Sequence, residues 1–494
     1  MSSINTNKYR TFLARQFQNT LLLSGASASV KANIASTNTS TMSAGAATTS
    51  EFYLGVGRPQ AWTSDVAPPT PTQDTQSLDF AAWRDLLGVK HITANTSALV
   101  IARYDWTANT VYAQYDDANT TLMTSSDKSF YVLDTGEVPY KVYKCLWNNA
   151  DATHPLGANS TVAPYTTGST VIPALTADGY VWKYMYTIST DHYTYLTSGW
   201  MPVVTNAAVS ADATSYAGKF STVVPLVVTA GGSSYNPAIN VTATFVGDGT
   251  LATINGTSSS VSITYSANAV ANVSFYAGGH SYTTADAVSI TQAGSSNTAS
   301  ARALIPPYPN HGYDPVSELG CVSVMLTAQL AYEESHSNSS LTVVNNYRRI
   351  LLLQDPLLAD GSVANGIFYQ QTYDCVLTSN TAAFEPDDIV TVTNTAYAVT
   401  GVVVDVIQNA NNNNVVRITN VADQGRTAAN TAVDDNTAFV SGDTLTSSSV
   451  TAVLGAVRVP ELKAFSGKVL YIDQRVPVTR ADTQLEDVRL VFGF

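Results

Sequence analysis

Six histidines are the first place to look for chemistry: His91, His154, His192, His280, His311 and His336. A zinc site on a helix needs two of them four residues apart, and a zinc protease needs His-Glu-x-x-His. Neither spacing occurs. A serine nucleophile on a sharp strand-to-helix turn would announce itself as Gly-x-Ser-x-Gly, which is also missing. His311 stands beside Gly312 and Asp314, which predicts a turn histidine bonded to backbone. Paired carboxylates matter because glycoside hydrolysis uses two of them facing each other across a bond. The candidates are Asp116-Asp117, Glu333-Glu334, Asp387-Asp388 and Asp434-Asp435. Neighbours on a strand point to opposite faces, so no adjacent pair makes that arrangement by itself. They read as loop charges. Asp434-Asp435-Asn436 is rich enough in oxygen to attract calcium, but lacks the spacing of an EF-hand. Gly55-x-Gly57 and Gly231-Gly232 are turns rather than phosphate cradles, since no Lys-Ser/Thr follows at P-loop spacing. The expectation is a chain with no catalytic residues, no metal and no cofactor, and so not an enzyme.

Two arginines stand out because charge is scarce. Lys, Arg, Asp and Glu together make only 12% of the chain, about half the usual ~25%. Arg58 lies near Trp62, and Arg84 follows Trp83. A guanidinium beside an aromatic ring can stack on it and grip a carboxylate with two hydrogen bonds. One of the pair is expected to hold such a contact in a core or at a subunit boundary, against the simpler reading of a surface turn arginine.

Large side chains are the other resource. In Asp178–Ile188 an Asp-Gly turn opens a strand on which Tyr180, Trp182, Tyr184 and Tyr186 alternate with Val181, Lys183, Met185 and Thr187. Each buried ring takes on the order of 150–250 Å² out of water, worth roughly 4–6 kcal/mol as an upper bound. Such a wall packs against its own core or another subunit. These four rings, with Arg58, Trp62, Trp83 and Arg84, are the packing or interaction candidates.

The elements that carry these residues are mainly β. The chain has 494 residues, 45% of them hydrophobic, with 27 tyrosines and many Thr and Val. Length predicts about three domains. The net charge of −13 argues against a nucleic-acid surface, which needs clustered cations. Cys145, Cys321 and Cys375 are far apart and odd in number, so buried reduced thiols are expected. No run of about 18 apolar residues and no secretory core appear, which predicts neither a membrane span nor a leader.

Residues 7–20 predict a helix, with Tyr9, Phe12, Leu13 and Phe17 at helical spacing. The stretch 26–49 reads as a loop or arm. Strands are expected at Phe52–Arg58, Ala98–Tyr104, Ser129–Leu133, Lys141–Trp147, Cys321–Ala328, Tyr347–Leu353, Lys468–Ile472 and Asp487–Phe494, and a short helix at Phe80–Leu87. Between 206 and 304 an internal repeat appears. Ala230-Gly231-Gly232-Ser233-Ser234-Tyr235 returns 47 residues later as Ala277-Gly278-Gly279-His280-Ser281-Tyr282. Two copies are too few for a solenoid and predict a pseudo-symmetric β module. A weaker repeat lies within 376–457, where Phe384–Ile389 resembles Phe439–Leu445 at an offset of 55. Asn411 to Asn414 reads as a polar hairpin tip.

In this order the segments become recognisable. FYLGVGRPQAW (52–62), ARYDW (102–106), YKVYKCLW (140–147), DGYVWKYMYTI (178–188) and the tail 467–494, closing on VRLVFGF, are collinear with the baseplate wedge subunit of T-even-type phages. The chain resembles this gene product eight family over roughly 1–205, 305–375 and 458–494. The segments 206–304 and 376–457 have no counterpart and look like insertions. The resemblance implies a discontinuous, multi-domain β-sandwich core carrying two small β modules and a short N-terminal helix. It further implies a structural protein of the contractile tail: a homodimer in each wedge, in contact with other wedge proteins around the hub, assembled in the host cytoplasm and carried in the virion baseplate. The family offers no catalytic or metal residues to carry over. An alternative is a carbohydrate- or receptor-binding tail module, with Tyr235, Tyr276 and Tyr282 of the first insertion as stacking surfaces.

Overall fold

The computed structural model describes residues 4–22, 24, 50–71, 75–123, 129–151, 154–253, 263–274, 277–285, 287–332, 334–336, 339–341, 346–393, 398–408, 414–424, 438–481 and 483–494. The chain is mainly β, built of several sheets in a sandwich-like manner, with a short N-terminal helix. It divides into two compact units. The first gathers Met1–Arg15, Ala98–Met325 and Phe492–Phe494; the second gathers Gln16–Ser97 and Leu326–Val491. The expected arm at 26–49 and the Asn411 tip fall wholly or largely outside the described residues.

The N-terminal helix runs Asn7–Leu22. Its buried positions are Thr11, Ala14 and Leu21, whereas Tyr9 and Phe12 are half exposed.

In the first unit, a four-stranded antiparallel sheet has the order Tyr131–Asp134, Lys141–Asn148, Tyr180–Thr187, Ala174–Leu175. The two central strands pair from Lys141↔Thr187 to Asn148↔Tyr180, with register shifts on the way. Against this sheet lies a helix, Ala207–Ser215, capped by Asn206, whose side chain accepts from the Ala208 and Val209 amides. Val209 is buried with Tyr143, Tyr180 and Trp182. This segment begins the stretch 206–304, for which a β module was expected. Its alanines and its Asn cap make it a helix, and it packs on the core sheet.

Strands between Pro225 and Arg302 form a six-stranded sheet. Its repeat is structural. Gly232 and Gly279 both have positive φ (64° and 57°), as do Ser234 and Ser281 (both 63°). Tyr235 and Tyr282, which close the two copies, are both buried in the module's core. A Cβ on Gly232 would meet the Asn297 carbonyl at 2.5 Å, so the turn requires glycine twice over. The strands Val241–Val246 and Ala287–Gln292, one from each copy, pair antiparallel.

In the second unit, Phe52–Gly57 is the middle strand of a five-stranded sheet, between Leu86–Ile92 and Tyr347–Gln354. All six of its residues are buried, as an apolar run covered on both faces should be. The neighbouring helix is Gln76–Arg84, earlier than expected, because the Thr75 side chain caps it by accepting from Leu78 N. Six strands between Tyr373 and Arg458 close into a barrel. The weak repeat holds here too. Glu385 N donates to the Asp388 carboxylate at 3.1 Å, and 55 residues on Val440 N donates to the Asp443 carboxylate at 3.0 Å. Phe384 and Phe439 both fill the barrel. Thr391 and Thr446 exchange reciprocal hydrogen bonds from side chain to carbonyl, at 3.5 and 3.1 Å, with 2.9 Å between their hydroxyls.

Candidate functional site

The aromatic wall packs into its own unit. Tyr180, Trp182, Tyr184 and Tyr186 are all buried. Tyr180 and Trp182 stack at 5.4 Å, and Tyr112 meets Trp182 edge-on at 5.7 Å. Tyr186 lies beyond the register shift next to Val142, where the strand's alternation is interrupted, and its hydroxyl donates to the Pro202 carbonyl at 3.1 Å. None of the four is offered to a partner.

The same two strands carry the chemistry that sequence reading missed. Lys144 is completely buried, and its ammonium lies 2.9 Å from Glu318, whose side chain is 4% exposed. Glu318 belongs to a short helix, Pro315–Glu318, opened by Asp314. His311 Nδ1 is 3.0 Å from Lys144 Nζ and 3.6 Å from the Glu318 carboxylate. The Tyr115 ring covers both side chains: Lys144 Nζ is 4.1 Å from its centroid, and the imidazole meets it edge-on at 4.8 Å. Gly312 N donates to Glu318 at 2.6 Å, from a backbone with φ 89° and no room for a Cβ beside Val209. The turn histidine therefore bonds to side chains, not to backbone as expected. Burial, then the Lys144 ammonium, push His311 down to about 4, so it is neutral at pH 7 and accepts from Lys144. Burial alone would raise the Glu318 carboxyl, but the Lys144 ammonium holds it down at about 2. Burial lowers Lys144 itself, against the pull of Glu318.

Directly opposite Lys144 on the neighbouring strand, Lys183 is buried too. Its ammonium donates to the Val171 carbonyl and lies 3.5 Å from Asp212 on the Ala207–Ser215 helix. Lys183, Asp212, Tyr115 and His311 line one end of a cleft of about 270 Å³. Each ionisable group in the buried cluster already has an opposite partner, so the arrangement does the work of a joint: it fixes a strand, a turn and a short helix to one another.

The second unit holds a comparable knot around the sequence-predicted arginine. Arg58, with φ 62°, stacks over Trp62 at 4.6 Å and reaches Asp85 at 3.8 Å. Arg349 Nη1 lies 2.8 Å from both Asp85 oxygens. Arg348 grips Asp65 through two bonds of 2.9 and 2.8 Å. Burial lifts the Asp85 carboxyl to about 6, although both arginines pull the other way. The Trp62 indole donates to the Arg475 carbonyl at 3.0 Å. Arg58 thus stacks on its tryptophan but only approaches Asp85, and the carboxylate grips belong to Arg348 and Arg349. Arg84 is exposed and takes the surface alternative, while its neighbour Trp83 is buried with Tyr53 and Leu86. A signal for the missed half was present: Arg348-Arg349 interrupts an otherwise apolar strand in a charge-poor chain.

Other expectations resolve individually. Asp116 and Asp117 are not free loop charges; both pair with Arg302, Asp117 at 3.5 Å. The Asp434-Asp435-Asn436 loop and Tyr276 lie outside the described residues. Tyr235 and Tyr282 are buried, so neither ring presents a stacking face. The three cysteines are buried and unbridged, and burial pushes the Cys321 thiol up to about 12. Ser24, His91 and Glu51 form a small buried group, but His91 meets both partners through the same Nε2, unlike a triad that relays through two nitrogens. Among the described residues, no group of three or more ligating side chains could hold a metal, and no helix is long and apolar enough to cross a membrane. A scan of protein-family models and a search of curated proteins find no match to this chain.

Proposed function

We propose that this protein is a structural subunit of a contractile-tail phage baseplate wedge, joining neighbouring wedge proteins as a homodimer. The observation that carries the reading is how the resemblance maps onto the fold. The segments alike in sequence to the wedge family, 52–62, 140–147, 178–188 and 467–494, supply strands of sheets other than the two insertion modules. The two segments without counterpart, 206–304 and 376–457, contain the six-stranded sheet and the closed barrel, each with its own core. Insertions that fold on themselves leave an older framework intact. The buried charges support the reading as well. Clustered Lys144, Glu318 and His311, and clustered Arg58, Arg349 and Asp85, stiffen a building block.

Light scattering on the purified chain tests the dimer. A mass near twice the 52.4 kDa of one chain, unchanged on dilution, fits a two-fold interface of more than roughly 1,200 Å². A single-chain mass that persists in the presence of wedge neighbours counts against it.

A further inference from the structure

The first unit holds a cleft of about 270 Å³. Its inner end holds Lys183 and Asp212, which face each other at 3.5 Å. Its mouth has a different character. Ile172 is 60% exposed and Val223 37%, both lining the cleft, with Val224 and Pro225 continuing the same wall. Lys219 stands at this mouth with its ammonium 4.3 Å from the Tyr216 ring centroid. Among the described residues no carboxylate pairs with Lys219, whereas Asp212 is engaged by Lys183. An apolar wall ending at an uncommitted cation is complementary to a molecule with a hydrocarbon tail and one negative charge. In a chain of net charge −13, diffuse electrostatics repel such a molecule, so binding would have to come from this local arrangement.

We propose that the cleft binds a small amphipathic monocarboxylate, its tail against Ile172, Val223 and Val224 and its carboxylate at Lys219. A cation on one side and the closed, polar Lys183–Asp212 end on the other set a polarity to the bound molecule. The tail lies along the valine wall, and the head stays at the wet mouth, where Lys219 keeps its partial exposure. This inference is independent of the baseplate reading, since a wedge subunit need not bind a small molecule.

Calorimetric titration of the full chain with octanoate tests it, with octanol as the uncharged probe of the same length. Saturable octanoate binding at one site per chain is expected, at least tenfold tighter than octanol, and weakened at least tenfold by Lys219→Glu. Lys219 is partly exposed and makes no buried ion pair, so this variant keeps the fold. Val223→Asp, at the exposed rim, should abolish binding of both probes. No saturable binding by the wild-type chain would overturn the proposal. So would equal affinity for octanoate and octanol, or octanoate binding that Lys219→Glu and Val223→Asp leave unchanged.

Discussion

Replacing Lys144 by methionine removes the ammonium that stands 2.9 Å from Glu318 while keeping most of the side-chain volume. Both side chains are almost wholly out of water, at 0% and 4% exposure, so the carboxylate left behind cannot be rehydrated cheaply. Breaking a buried pair from one side costs roughly 3–5 kcal/mol. What remains around Glu318 is the Gly312 amide and His311 at 3.6 Å. In the wild type, Lys144 helps keep His311 unprotonated. Burial still holds the imidazole down, but without that ammonium it takes a proton more readily as the pH falls and can replace the lost cation. The loss should therefore be largest near pH 8 and shrink near pH 6. Because the chain has two units, a single unfolding midpoint would mix them. Hydrogen exchange read on peptides covering 140–190 isolates the effect. At ~1.4 kcal/mol per factor of ten, exchange at pH 8 should accelerate by about a hundredfold or more. The double change Lys144→Met with Glu318→Leu should recover most of the loss, as replacing a whole buried pair by apolar groups commonly does. Less than about fivefold acceleration at pH 8, or a loss that does not change between pH 8 and 6, would refute this account of the cluster.

Further outcomes follow from the same structure. Arg349→Ala leaves Asp85 with only Arg58 at 3.8 Å and should cost about 3–5 kcal/mol, whereas Arg58→Ala, which loses mainly the stacking on Trp62, should cost about 1–2 kcal/mol; exchange over 76–92 ranks them. Acidification should act oppositely on the two units. His311 is depressed from 6.5 to about 4 and Glu318 from 4.5 to about 2, so their contribution is complete above pH 6.5 and is lost as pH falls through 4 and then 2. Asp85 is raised from 3.8 to about 6, so its contribution is complete below 3.8 and is lost as pH rises through 6. The His311 part alone is worth about 3 kcal/mol, and exchange at pH 4 against pH 7 should show 140–187 loosening more than 85–92. Tyr235→Phe removes the hydroxyl that donates to the Ile290 carbonyl and accepts from Ala299 N at 2.7 Å; it should cost about 1–3 kcal/mol, confined to peptides within 225–302.

Much of this architecture is legible in the sequence, for physical reasons that differ from place to place. The Tyr180 strand is readable because alternation of large rings has one β interpretation. The repeats at offsets 47 and 55 are readable because a turn with positive φ restricts its residues: Gly232 and Gly279, Asp387 and Gly442 occupy matching positions with φ 64°, 57°, 71° and 89°. The Ala207–Ser215 helix was hidden by its composition, since Ala and Ser in a β-rich surrounding carry no clear period. Helical spacing located the N-terminal helix but not its buried face, which holds Thr11, Ala14 and Leu21. The two charge knots were half visible. Arg58 beside Trp62 is local, so proximity in sequence sufficed. Lys144, His311 and Glu318 are brought together across more than 160 positions, and Arg349 reaches Asp85 across 264. Lysines on apolar strands, Lys144 and Lys183, were the available sign that buried carboxylates must lie opposite them.

The central claim concerns where this chain works, and electron microscopy of contractile-tailed particles tests it most directly. An antibody raised against the barrel module, 373–458, and carrying gold should mark the plate at the end of the tail that faces the host. Gold at the head or along the sheath, or unlabelled particles when the same antibody detects the chain in the lysate that produced them, would contradict the assignment.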